Sequence, residues 1–257
     1  MALTITAGDS SHSFMRDNLL RSAWVRRIEV QSDPANGGRL NTYLAVPIHA
    51  LFADVKIPPA SALLFICKDG FSAPIDPQRL LNKDPAKSIA FLAIEPADNP
   101  WPPLRKNGGD SAGPFYLIWQ DPEKSNIGKE EWPFQLVAFK VQRATQEEFP
   151  HTPPKISGHP EAPEWRGYRS FMKNCFSCHT LNGEGNSRLG PDLNIPYSPT
   201  EYLRAGFLEK QIRSPQSVHR WPQSKMTAFD KAALPDRELK DLIAYLRHMA
   251  KHKVSKP

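Results

Sequence analysis

The sequence predicts two domains: a mixed α+β N-terminal half on a mostly β core, and an all-helical C-terminal half. Three observations carry this. The chain has 257 residues, long for one small domain and suited to two. Strand-length apolar runs separated by turn formers occupy the first half, at Ala62–Cys67, Ile89–Ile94, Phe115–Trp119 and Phe134–Val141. Helical spacing takes over later, beyond a stretch where Pro150, Pro153, Pro154, Pro160 and Pro163 permit neither helix nor ladder. That stretch reads as a stiff linker over 144–163, between domains at 1–143 and 164–257.

The elements follow in order. Residues 1–20 are polar and weakly patterned, and are expected to form a loose arm. From Trp24 to Val30, Ile28 and Val30 alternate with Arg27 and Glu29, the period of a half-buried strand. Asp33-Pro34-Ala35-Asn36-Gly37-Gly38 is a turn by composition. A short strand from Tyr43 then gives way to a helix near Pro47, and another short helix is expected near Pro77–Leu81. In the second half, Pro163-Glu164 suits a helix start, with proline and an acid where the N-terminal dipole favours them. One helix is expected over Tyr202–Ile212, ended by Pro215, and another from Leu234-Pro235-Asp236 to about Lys251.

The net charge of +6 is unevenly spread. Residues 151–257 hold 17 Lys and Arg against 10 Asp and Glu, whereas residues 1–150 hold 16 against 17. Basic character alone does not indicate nucleic acid, because arginine-rich runs and aromatic platforms are missing. No stretch approaches the roughly 20 apolar residues needed to cross a bilayer. The start, Met1-Ala2-Leu3-Thr4, lacks the basic and apolar regions of an export signal.

Cys175-Phe176-Ser177-Cys178-His179 has the spacing C-x-x-C-H, the attachment site of a c-type haem. Two thiols one turn apart match the two vinyl groups, and the following imidazole can become the proximal iron ligand. A zinc site would need a second ligand pair, which the sequence does not offer. A thioredoxin-like redox pair would leave the histidine without a role. The third cysteine, Cys67, lies in the run Leu63-Leu64-Phe65-Ile66 and reads as a buried core thiol.

The flanks of that motif resemble the class I cytochromes c over about the last hundred residues. Gly167, Phe171 and Cys175 recur at intervals of four on one helix face. Leu239–Leu246 resembles the family's closing helix, which crosses the first helix closely at its glycine. Leu189-Gly190-Pro191-Asp192-Leu193 resembles the loop whose proline carbonyl, here Pro191, holds the Nδ1 of the proximal histidine. Lys225-Met226-Thr227-Ala228-Phe229 resembles the loop that delivers the distal methionine, with threonine in place of the usual proline. The resemblance implies His179 and Met226 as axial ligands, with His219 the competitor for the distal position. It also implies one covalent haem c on Cys175 and Cys178, with Arg213 and Trp221 near the haem edge or a propionate. An iron with both axial positions filled suits an electron carrier.

The first half resembles the molybdopterin-binding domain of the sulfite-oxidase type. The landmarks are Val46-Pro47-Ile48-His49-Ala50-Leu51, Lys68-Asp69-Gly70-Phe71-Ser72, Gly108-Gly109, Gly113-Pro114-Phe115 and Trp132-Pro133-Phe134. That family's metal-binding cysteine precedes the Val-Pro segment, and here no cysteine precedes Cys67. Molybdopterin is therefore not expected, and the domain reads as a cofactor-free relative. Together the halves imply an exported, periplasmic electron carrier whose first domain docks a redox partner with an acidic surface. The alternatives are a fused molybdenum oxidoreductase that reduces its own haem, and a haem sensor or peroxidase with an open iron position.

Overall fold

Apolar runs with period two bring most of the first half into strands, and the computed structural model divides the chain into two units, Met1–Thr145 and Gln146–Pro257. It describes residues 1–104, 109–143, 145–156, 160–187, 189–204, 206–219, 224 and 226–254.

The first unit contains two sheets. Strands β1 (Ala2–Ala7), β2 (Ser10–Met15), β5 (Ser61–Cys67), β6 (Ser72–Ile75) and β9 (Leu136–Arg143) form one, in the order β2-β1-β9-β5-β6. Within it β1 runs parallel to β9, and the other neighbours are antiparallel. Strands β3 (Arg26–Asp33), β4 (Arg39–Pro47), β7 (Ile89–Ile94) and β8 (Phe115–Gln120) form the second, antiparallel sheet in that order. Short helices α1 (Arg16–Leu20), α2 (Ile48–Leu51) and α3 (Pro77–Leu80) interrupt the strands. Asp76 caps α3 by accepting the Gln78 N–H, and Pro77 fills a first-turn position that has no partner to lose.

One core unites both sheets: Leu3, Ile5, Phe65 and Phe139 from the first pack with Val30, Tyr43, Phe91 and Phe115–Trp119 from the second. β7 and β8 are buried almost throughout, as their unbroken apolar runs require. The expected loose arm at residues 1–20 is instead the β1–β2 hairpin followed by α1. Its alternation is short, but Leu3 and Ile5 are fully buried, and β9 supplies a partner that no local pattern announces. At the end of β3, buried Asp33 accepts hydrogen bonds from the hydroxyls of Tyr43 (2.5 Å) and Tyr116 (2.9 Å) and from the Ala35 N–H. That satisfies a carboxylate whose burial alone would be costly.

In the second unit α4 (Thr145–Glu148) leads into α5 (Pro163–Asn174), α6 (Pro199–Tyr202), α7 (Phe207–Arg213), α8 (Pro215–Val218) and α9 (Asp236–Ala250). The helix expected over 202–212 is broken: α6 ends at Tyr202, and Gly206 at φ +81° turns the chain into α7. A left-handed residue cannot continue a helix, and glycine adopts that conformation freely. Pro215, expected to end a helix, opens α8.

The proline-rich stretch read as a linker packs against this unit. Phe149 is buried against Phe176 with ring centroids 5.1 Å apart, and the carbonyl of buried Thr152 accepts the Tyr245 hydroxyl at 2.6 Å. α5 and α9 cross at Gly167. A Cβ there would stand 2.0 Å from the Asp241 carbonyl oxygen and 2.6 Å from Tyr245 Cβ, so only glycine allows this approach. Tyr168 and Phe171 flank the crossing, each with its ring within 6 Å of Tyr245. Arg166 grips Asp241 through two bonds of 2.8 and 2.9 Å beside it.

Candidate haem site

The C-x-x-C-H segment continues the last turn of α5. The Cys175 N–H bonds the Phe171 carbonyl, and the Cys175 carbonyl accepts from the N–H groups of Cys178 and His179 at 3.0 and 2.9 Å. Wound this way, Phe176 turns into the core against Phe149 and Phe171. Ser177 is buried as well, while Cys175, Cys178 and His179 stay half-buried. The two residues between the thiols thus anchor the turn, and the three chemically able side chains stay accessible.

The 189–195 loop folds back on this turn. The Gly190 N–H bonds the Cys178 carbonyl (2.8 Å), and the Leu193 N–H bonds the Thr180 carbonyl (2.9 Å). His179 Nδ1 then lies 2.8 Å from the Pro191 carbonyl oxygen. A carbonyl only accepts, so Nδ1 carries the hydrogen and Nε2 keeps its lone pair. Nε2 makes no hydrogen bond among the described residues. Burial pushes the imidazole's pKa down, against the opposing pull of the Pro191 bond and the Asp192 charge. The neutral ring, the form that binds metals, is favoured.

Gly190 leaves space for that ring. A Cβ at this position would stand 2.4 Å from Cε1 and 2.5 Å from Nδ1 of His179. The loop itself is fastened by Asp192: Oδ2 accepts the Thr180 hydroxyl (2.8 Å) and the Gly183 N–H (2.7 Å), and Oδ1 accepts the N–H groups of Asn194 (2.8 Å) and Ile195 (2.7 Å). Deeper still, the Asn194 amide donates to Asn182 Oδ1 and to the Met249 carbonyl, tying the loop to the end of α9. Asp192 and Asn194 are the positioning residues that sequence reading left without roles. Their signal was an acid inside the family-like motif and an amide directly after it.

Met226 is half-buried and packs, with Cys175 and Leu193, against the same core cluster as Phe171 and Phe176. Its sulfur lies 3.6 Å from the Gln211 side-chain nitrogen. Arg213, expected near the haem edge or a propionate, bonds the chain beyond Met226. Its guanidinium donates to the carbonyls of Phe229, Asp230 and Leu234 and pairs with Asp236 at 2.8 Å. Those bonds hold the segment that follows Met226. His219 is exposed at the end of α8. Trp221, Lys225 and Gly108 lie outside the described residues.

Residues 165–250 match the family model Cytochrome c. The C-terminal unit carries a cytochrome c domain. The family implies covalently bound haem c and an electron-transfer function. No curated protein matches the chain, and no solved structure matches it. The cytochrome c domain fits the group its family implies in the chemistry of its donors. It offers two half-buried thiols one turn apart, an imidazole fixed at Nδ1 whose Nε2 is unspent among the described residues, and a glycine where any side chain would strike the ring.

Proposed function

We propose that this protein is an exported, periplasmic monohaem c-type cytochrome that passes single electrons between redox partners, its first unit serving to dock a partner. The observation that carries the reading is the His179 ring, held at Nδ1 by the Pro191 carbonyl and seated over Gly190, one turn after two accessible thiols. In this reading Cys175 and Cys178 hold the porphyrin as thioethers, His179 Nε2 is the proximal iron ligand and Met226 Sδ the distal one. Haem c, when bound, supplies a one-electron iron couple, and a thioether ligand raises its potential.

The chain's own residues then do the positioning. The Pro191 carbonyl fixes the imidazole tautomer and raises its basicity. Arg213 holds Phe229, Asp230 and Leu234 together beyond Met226, beside the haem edge in this reading. Pro191 and Trp221 complete the haem surroundings.

The first unit is read as a relative of the sulfite-oxidase-type domain that binds no molybdopterin. Its one cysteine, Cys67, is buried, and burial with the nearby Asp69 charge pushes the thiol's pKa well above its ordinary range. A metal-binding thiolate is disfavoured there. Elemental analysis and a pyridine haemochrome spectrum of the purified protein test the whole reading. One iron per chain, a thioether-type spectrum and no molybdenum are expected. Stoichiometric molybdenum would instead establish the fused oxidoreductase.

A further inference from the structure

The second sheet is incomplete along one edge. β4 pairs with β3 along Arg39–Ala45, yet its ladder with β7 consists of only Ala45, Val46 and Pro47. β7 continues along β8 to Ile94, and the chain then leaves the sheet. Glu95 Oε1 holds the departing loop by accepting the Trp101 N–H (2.8 Å) and the Ser111 hydroxyl (2.6 Å). Between Asn41–Leu44 and the loop's Pro96–Pro102 lies a cleft of about 310 Å³, with Arg27 on its rim. That volume sits at the small end of ligand pockets, roughly 300–1,000 Å³.

The cleft has a rigid wall and unspent polar groups. The Trp101 ring meets Tyr43 edge-on at 4.8 Å, and Tyr43 is locked by its bond to buried Asp33. The Thr42 N–H donates to the Asn41 side chain at 2.9 Å, an exposed local bond that stands in for a neighbouring strand. Among the described residues, neither the Trp101 indole N–H nor the Arg27 guanidinium makes a hydrogen bond. Arg26, on the same strand, also lacks an ion pair among them, and Arg39 bonds only Asn36. Glu29 is the exposed opposing charge on β3; Asp33, the other acid of that strand, is buried and already holds Tyr43 and Tyr116.

We propose that this cleft is a strand-addition site for an acidic peptide segment in extended conformation. Unpaired strand edges recruit chains through main-chain bonds, and neighbouring side-chain contacts supply selectivity. Four open positions at about 3.3 Å per residue accept a segment of about 13 Å. The surplus of arginine on β3 and β4 selects carboxylates. This goes beyond the docking role proposed above and does not depend on it.

The test is a titration of the full-length haem protein with a fluorescein-labelled hexapeptide of alternating valine and glutamate. Saturable binding is expected, lost when alternate peptide nitrogens are methylated, and absent for the valine–lysine analogue. Arg27→Glu should weaken it by at least about fivefold, the worth of one exposed ion pair of about 1 kcal/mol. Thr42→Pro should block the open edge while β3 pairing persists, as edge prolines do. No binding up to about 1 mM, or binding indifferent to N-methylation and to Arg27→Glu, overturns the proposal. Dimerisation abolished by Thr42→Pro would assign the edge to a second copy of the chain and overturn it too.

Discussion

The Asp192 carboxylate accepts the Thr180 hydroxyl at 2.8 Å, joining the residue after His179 to the residue after Pro191. One side chain therefore fixes both partners of the His179–Pro191 bond. Four donors converge on it, two on each oxygen. Hydrogen bonds to a charged acceptor are worth about 1.5–3 kcal/mol each, though not additively.

Asp192→Ala should destabilise the cytochrome c domain by about 3 kcal/mol, since it leaves the part-buried Asn194 and Ile195 N–H groups and the Thr180 hydroxyl without their acceptor. It should also raise the haem reduction potential, because a loosened Nδ1 bond makes the imidazole a weaker donor. Denaturant unfolding and a redox titration read the two effects separately. A loss of stability with an unchanged potential would confine Asp192 to a structural role.

Gly190→Ala should impair proximal ligation more than folding, because the new Cβ would enter the space of the His179 ring. The expected result is a thioether-bound haem with an altered spin state in the visible spectrum. A native low-spin spectrum would mean that the ring is seated elsewhere when haem is bound.

Met226→Ala should abolish the weak near-infrared absorption of a methionine–iron bond and open the iron to carbon monoxide. His219→Ala should leave both unchanged. The reverse outcome would transfer the distal position to His219.

The second unit should lose stability as pH falls below about 6.5, the ordinary histidine value. His248 stacks on His252 with ring centroids 4.3 Å apart, and its Nε2 is buried without a hydrogen-bond partner among the described residues. Burial first, then the His252 charge, lower its pKa against the opposing Glu164 charge, with a smaller lowering from Lys251. The unfolded chain takes up a proton near pH 6.5, but the folded one resists until lower pH. Stability is therefore full above the unfolded value and drains away between the two. His248→Gln should flatten this slope in thermal melts recorded across the range.

Reduction by an acidic redox partner should slow steeply with salt, because exposed charges are screened beyond about 10 Å at 0.1 M. The proposal for the first unit predicts that deleting residues 1–143 preserves this slope yet lowers affinity for the native partner. Stopped-flow reduction of both forms across a salt series checks it, and equal affinities would remove the docking role.

Much of this was legible from local pattern. Ile89–Ile94 forms a strand with the expected bounds, because an unbroken apolar run between turn formers leaves one way to bury it. The closing helix likewise starts after Pro235. What escaped depended on distant partners. Leu3 and Ile5 are two apolar positions among polar ones, and only pairing with β9 makes them core. Phe149 sits among prolines that argue against structure, yet the aromatic cluster around Phe176 captures it. Asp192 is a common loop residue until the chain folds back and brings four donors to it.

The parallel pairing of β1 with β9 has a kinetic consequence. Thr4 adjoins Ala138, so the first strand of the unit is covered by its last. Closing so long a loop costs entropy before any contact compensates it. Such high contact order slows folding. Until β9 arrives, the facing edges of β1 and β5 have no partner, so the nascent first unit needs chaperone protection for longest over its β1 residues.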